Sequence, residues 1–255
     1  LIRTGSLVYN QGAMFLRLCL SIILPLVFLL APAKAGVLGD DFNYEESEDY
    51  LSLPRLRLSV EGGFSQWIFP EDTSLTAGGK KYADDQQAAW NAAADAIYYF
   101  APRGGVGLSW VWFLSRTQAQ DLVVRAGGGP HDLKERMSIV YLGPSFWTRV
   151  RAGRFGLAHA GFGAGYLGLR DSWTDNGATN VVEARTFALV TSLGWDYSIF
   201  RFVGVGINGR FVFSNIKEWR LNGEKVVVVD PLNQFYWFNV PLYRLELNAG
   251  LRIFL

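Results

Sequence analysis

The sequence predicts an all-β chain: a membrane-spanning antiparallel up-and-down barrel of about eight strands, preceded by a signal peptide. Three observations predict it. After Pro54 apolar and polar residues alternate with a period of two, in segment after segment. The connections between these segments alternate between long and short. No segment after Ala35 carries the ~18 consecutive apolar residues of a spanning helix.

The chain of 255 residues is compatible with one barrel domain, since such domains routinely reach roughly 200–250 residues. It holds 28 glycines and 15% aromatic residues but only 18% charged ones, a balance that favours a membrane barrel over a soluble enzyme. A net charge of +1 supplies no field to steer nucleic acid, which is excluded as a partner. The single cysteine, Cys19, falls in the N-terminal apolar stretch, so thiolate metal sites and cysteine catalysis are not expected. No cofactor is expected.

Residues 1–13 read as an upstream extension before Met14. Residues 14–35 read as the signal: Arg17 is the positive region, Ile22 to Leu30 the apolar core, and Ala33-Lys34-Ala35 the small-x-small cleavage site. Residues 36–54 form an acidic leader with Asp40, Asp41, Glu45, Glu46, Glu48 and Asp49, read as a solvated periplasmic segment because EF-hand spacing is absent. The barrel occupies 55–255.

In 55–65, Leu56, Leu58, Val60 and Phe64 alternate with Arg57, Ser59, Glu61 and Ser65, so one strand face is apolar and the other polar. The same pattern recurs near 92–101, 106–116, 136–151, 155–171, 183–197, 202–217 and 235–255. In the last strand Tyr243, Leu245, Leu247, Ala249, Leu251, Ile253 and Leu255 alternate with Arg244, Glu246, Asn248 and Arg252. A lipid-facing charge is costly, so the charged face is assigned to the lumen and the apolar face to hydrocarbon. Long loops are expected near 70–91, 117–135, 172–182 and 218–234, and short turns at 102–105, near 153–154 and at 198–201, which places both barrel ends on the periplasmic side.

The candidate lumen network is Arg57, Glu61, Asp95, Asp196, Asn208, Arg210, Arg244, Glu246, Asn248 and Arg252. An eight-stranded barrel has an interior just wide enough for side chains to fill, so opposite charges are expected to pair into a plug. Gly161, Gly163 and Gly165 share one face of the fifth strand and are read as room for bulky lumen residues. Aromatic girdles are expected at Tyr98, Tyr99 and Phe100, at Trp195 and Tyr197, at Phe200 and Phe202, and at Tyr236, Trp237 and Phe238. The loop residues Trp173 and Trp219 carry a sharper reading as a sugar platform. Only two histidines occur, His131 beside Asp132 and His159 in the fifth strand, so no metal site or catalytic residue is assigned.

The alternation from Tyr243 to Leu255 resembles the C-terminal signal by which outer-membrane assembly machinery recognises its clients, with Leu in place of the usual terminal Phe. Tyr141-Leu142-Gly143-Pro144-Ser145-Phe146-Trp147 is similar to strands of the small OmpA/OmpX/OmpW-like barrels. The resemblance implies a Gram-negative outer-membrane location, contacts with membrane lipid and the assembly machinery, and an extracellular ligand or protein met through the loops. A non-enzymatic scaffold is the leading expectation. A narrow uptake channel for small solutes stands second. A lipid-modifying acyl hydrolase or transferase stands third, with Ser138 or Ser172 approaching His131, although the family's His-x-Ser pattern is absent at His159-Ala160-Gly161.

Overall fold

The computed structural model describes residues 53–68, 77–123, 129–152, 156–216, 218–225 and 240–255. The expected signal peptide with Ala33 and Ala35, the leader up to Ser52, and Tyr236 to Phe238 lie outside the described residues.

Eight strands form a ring. They are β1 (Leu56–Ile68), β2 (Ala88–Tyr99), β3 (Gly104–Leu122), β4 (His131–Arg151), β5 (Gly156–Asp175), β6 (Ala178–Phe200), β7 (Val203–Ile216) and β10 (Val240–Phe254). Each pairs antiparallel with its neighbours in the ring, and β1 also pairs with β10 from Arg57↔Phe254 to Ile68↔Tyr243, which closes the sheet. Closure pairs the barrel's backbone groups, a condition hydrocarbon imposes on any spanning sheet. Two short strands, β8 (Trp219–Leu221) and β9 (Glu224–Lys225), add to the outer part of β6.

The pleat sorts the side chains. Val60, Phe64, Leu108, Phe146, Phe187, Ile207, Leu247 and Leu251 point outward and are exposed, while Arg57, Glu61, Asp95, Arg210, Arg244 and Arg252 point inward and are buried. A water-soluble barrel has the reverse arrangement, so this is the surface of a barrel bathed in lipid. Outward aromatics gather in two bands. Tyr98, Phe100, Trp195, Tyr197, Phe200 and Phe202 lie near the terminal end, where β1 begins and β10 finishes. Toward the other end, Phe211 stacks with Phe213 and Tyr243 at ring separations of 6.2 and 6.3 Å. Tyr99 departs from the expected girdle: its parity turns it inward, where it is 2% exposed.

Among the described residues, much of the segments expected to be long loops is strand or helix. β4, β5 and β6 contain 21, 20 and 23 residues, about twice the ~9–11 that a tilted strand needs to cross hydrocarbon. The segment 172–182 is no loop, because β5 and β6 meet at the two-residue turn Asn176-Gly177, with φ of 47° and 87°. Both residues of a type I′ turn require positive φ, which Asn and Gly accept most readily. Asn222-Gly223 repeats the device between β8 and β9, inside the expected loop 218–234. β3 and β4 extend to Leu122 and from His131, inside the expected loop 117–135. The segment 70–91 contains helix α1 (Ala77–Gln87) and the start of β2. Beyond the membrane the outward face has no reason to be apolar, so the strands continue there without the period-two signature that marks them inside it.

One irregularity lies in β4. Pro144 has no amide hydrogen, and the β4–β5 register passes from Leu142↔Tyr166 directly to Ser145↔Gly163. Beside this gap the β5 backbone comes so close that a Cβ on Gly165 would collide with the Leu142 carbonyl oxygen.

Leu247, 66% exposed near the middle of β10, tests the lipid face. Leu247→Arg is expected to cost about 2–4 kcal/mol of folding free energy in bilayers, the range for arginine near the midplane. Equilibrium unfolding in lipid vesicles measures it.

Candidate functional site

The barrel interior has two layers. Residues early in β1, β5 and β7 and late in β2, β4, β6 and β10 lie toward the terminal end, and there the buried charge is concentrated. Asp196 on β6 is held from two sides: Arg57 donates through Nε to Oδ2 at 2.6 Å and through Nη2 to Oδ1 at 3.1 Å, and Arg252 donates through Nε to Oδ1 at 2.7 Å. Arg252 continues to Glu61 at 2.9 Å, and Glu61 meets Arg210 at 3.0 Å. Arg210 also binds Asp95, which accepts the Ser59 hydroxyl at 2.9 Å. Five strands, β1, β2, β6, β7 and β10, are thereby joined across the lumen. The Asn208 amide satisfies both ends when its oxygen accepts from Arg210 at 3.0 and 3.1 Å and its nitrogen donates to the Leu193 carbonyl at 2.9 Å.

All ten residues of the candidate network are buried. Seven form the connected cluster just described. Arg244 and Glu246 share one face of β10 two residues apart, and Nη2 touches Oε1 without hydrogen-bond geometry. Arg244 is also 5.2 Å from the centroid of the Phe113 ring. Asn248 lies opposite Asn208 and Gly63 but makes no side-chain hydrogen bond among the described residues.

The sequence reading missed part of this layer. Arg149 on β4 is buried, stacks 3.7 Å over the Tyr99 ring, and donates to the Pro54 and Pro102 carbonyls at 2.7 and 3.0 Å. It thereby seals the terminal end. Its odd parity, shared with Tyr141 and Trp147, was the available signal. His159 is 3% exposed, and its Nε2 accepts from Arg57 at 3.3 Å, which leaves the proton on Nδ1, 3.5 Å from Asp196. The glycines of β5 make room here: a Cβ on Gly161 would enter the Trp147 ring at 2.7 Å, and one on Gly163 would meet the Tyr141 hydroxyl at 2.9 Å.

The second layer corrects the expectation of a polar lumen throughout. Toward the long-strand end the inward face is mainly apolar, packed by Trp67, Val111, Phe113, Met137, Ile139, Tyr141, Leu167, Leu169, Val190, Val212, Ile216 and Leu242, with Arg244, Ser65, Ser115 and Ser214 buried among them. Trp219 packs against this cluster, so it offers no open platform for a sugar. Above it sits α1, whose Tyr82 hydroxyl donates to Glu135 at 2.7 Å. Glu135 faces Asp171, and burial, followed by the charge and hydrogen bond of Glu135, pushes the Asp171 carboxyl up to about 8.

His131 reaches Asp175 at 3.1 Å on the inner face. Ser138 and Ser172 stand on the outer face, where Ser138 accepts from Trp112 Nε1 at 3.0 Å and Ser172 donates to the Arg136 carbonyl at 3.2 Å. The sheet therefore separates both serines from His131.

Asp196→Ala leaves the buried Arg57 without a carboxylate and Arg252 with Glu61 alone, and is expected to destabilise the barrel by about 3–5 kcal/mol. Glu246→Ala is expected to cost less, and unfolding titrations of the two variants compare them. Because the folded Asp171 pKa lies above its ordinary 3.8, its contribution is full below about pH 4 and is lost as pH rises toward about 8. Thermal stability of the native chain should fall across that window, and Asp171→Asn should flatten the profile.

No protein-family model and no curated protein matches the chain. Solved structures do. One is Neisserial surface protein A, at 10% identity and TM-score 0.44, covering 78% of this chain and 97% of that one. The outer membrane protein OprG of Pseudomonas aeruginosa gives 15%, 0.42, 79% and 96% in the same order. A major outer membrane protein of Thermus thermophilus gives 16%, 0.48, 77% and 99%. The chain is similar to these outer-membrane proteins at low sequence identity.

Proposed function

We infer that the chain is a closed, non-enzymatic scaffold of the outer membrane, and that its strand extensions, not its lumen, meet what lies outside the cell. The observation that carries this reading is the filling of the lumen by two successive layers, the Arg57–Asp196–Arg252–Glu61–Arg210–Asp95 cluster and the apolar cluster from Trp67 to Leu242. A packed, mainly apolar layer gives an ion no favourable path. A transmembrane barrel with short turns at its terminal end belongs in an outer membrane, with that end toward the periplasm and the long strands outward. In this reading β10 is also the strand that the assembly machinery recognises, through the outward series Tyr243, Leu245, Leu247, Leu251, Ile253 and Leu255.

The long β5–β6 hairpin and its β8–β9 extension provide the interaction surface. Surfaces on a rigid scaffold are where specificity resides most economically. A narrow channel is the second reading, and one observation favours it: Asn91, Glu246 and Asn248 have buried polar atoms without hydrogen-bond partners among the described residues, as the lining of a hydrated passage would.

Reconstitution of the refolded chain into planar bilayers separates the two. The scaffold reading predicts a silent membrane over the full voltage range. Stable unitary currents, abolished by neutralising Glu246, would establish the channel instead.

A further inference from the structure

Beyond the hydrocarbon band, the outer face of β3, β4 and β5 carries a two-row polar patch. In the first row Arg116 stands directly opposite Arg136, with Ser172 next to it; in the second, Gln118, Lys134 and Thr174 repeat the order. These six are among the residues that line an open groove of about 460 Å³. Two like charges directly opposite on neighbouring strands destabilise a sheet. Arg116, Lys134 and Arg136 nevertheless have no ion-pair partner among the described residues. Some other exposed cations have one, such as Arg170 with Glu183 at 3.8 Å and Lys225 with Glu218 at 3.1 Å. The carboxylates adjoining the patch are engaged elsewhere: Glu135 accepts from Tyr82 and faces Asp171 on the inner side, Asp175 meets His131 there, and Asp132 accepts from the Asp121 amide.

The height of the patch identifies its counter-ion. Trp112, outward on β3 and bonded to Ser138, marks the interface that indole rings prefer. Arg116 lies four residues farther along β3. At ~3.3 Å per residue and the tilt of a barrel strand, that is roughly 10 Å along the barrel axis, within the headgroup layer. A guanidinium pair binds phosphate oxygens bidentately, and the hydroxyl and amide flank suits a polar headgroup.

We propose that Arg116, Arg136 and Lys134 form a binding site for the phosphate of an outer-leaflet lipid headgroup, held against the outer wall of β3–β5. The proposal rests on the membrane position of the barrel and is independent of whether the lumen conducts.

The test uses the full folded chain in detergent micelles, offered a bisphosphorylated glycolipid, the same lipid after dephosphorylation, and inorganic phosphate, with bound lipid counted by native mass spectrometry. The wild-type chain should prefer the phosphorylated lipid by roughly tenfold or more, with a preference that shrinks as salt rises. Arg116→Gln/Arg136→Gln should lose the preference while keeping heat-modifiable migration, and Arg220→Gln on β8 should retain it. Should the double variant fail to fold, Lys134→Gln and the salt titration of the wild type carry the decision. Equal binding of both lipids by the wild type would overturn the proposal, as would retained preference in a folded double variant. Full competition by inorganic phosphate at the lipid's own concentration would overturn the assignment to a lipid.

Discussion

Asp196, gripped by Arg57 from β1 and Arg252 from β10, illustrates the constraint on which the structure depends: charge on a spanning strand must face inward, and once inside it must be paired. The two arginines sit on neighbouring strands and the carboxylate on β6, so their bonds reach across the lumen as well as around the ring. Arg210 does the same from β7 toward Glu61 and Asp95. These contacts are satisfied together only in one register, because a slip of one residue in any strand would send its charges into lipid. The polar layer thus contributes to specifying the barrel as well as to filling it.

The apolar layer has a different logic. Its residues lie on inward faces where the sequence continues to alternate, but with apolar residues on both sides, as at Trp110-Val111-Trp112-Phe113 and Ile139-Val140-Tyr141-Leu142. Such a segment hides the period-two signal. The charged cluster was legible because β1, β7 and β10 set charged, polar or glycine residues against apolar ones at alternate positions. The layer of Phe113, Ile139 and Leu167 was not, since nothing in composition distinguishes an apolar side chain facing lipid from one facing a packed lumen.

The extensions show a second limit of the same kind. Strand periodicity is imposed by lipid, so it fades at Arg116, Arg136 and Arg170, where the outer face meets headgroups and water. Pairing continues because Val181, Val182 and Thr174 suit a strand and because Asn176-Gly177 closes the hairpin. The Asn-Gly pairs were visible, and reading them as turns between continued strands would have replaced the expected loop 172–182, and the beginning of the one expected at 218–234, by hairpins. α1 offered no such signal: its residues, Ala-Gly-Gly-Lys-Lys-Tyr-Ala-Asp-Asp-Gln-Gln, lack an apolar face, and its position is fixed by contacts such as Tyr82 with Glu135.

The barrel depends on the sorting of alternate residues between hydrocarbon and a filled lumen. Nitroxide labels placed one at a time from 244 to 253 along β10, with relaxation by oxygen dissolved in lipid and by a water-soluble nickel chelate, test it most directly. Oxygen access should oscillate with a two-residue period, high at 245, 247, 251 and 253 and low at 244, 246, 248 and 252, with the chelate excluded from the inward positions. Oxygen reaching 244 and 246 as freely as 245 and 247 would contradict the orientation, and chelate reaching the inward positions along the whole strand would contradict the filled lumen.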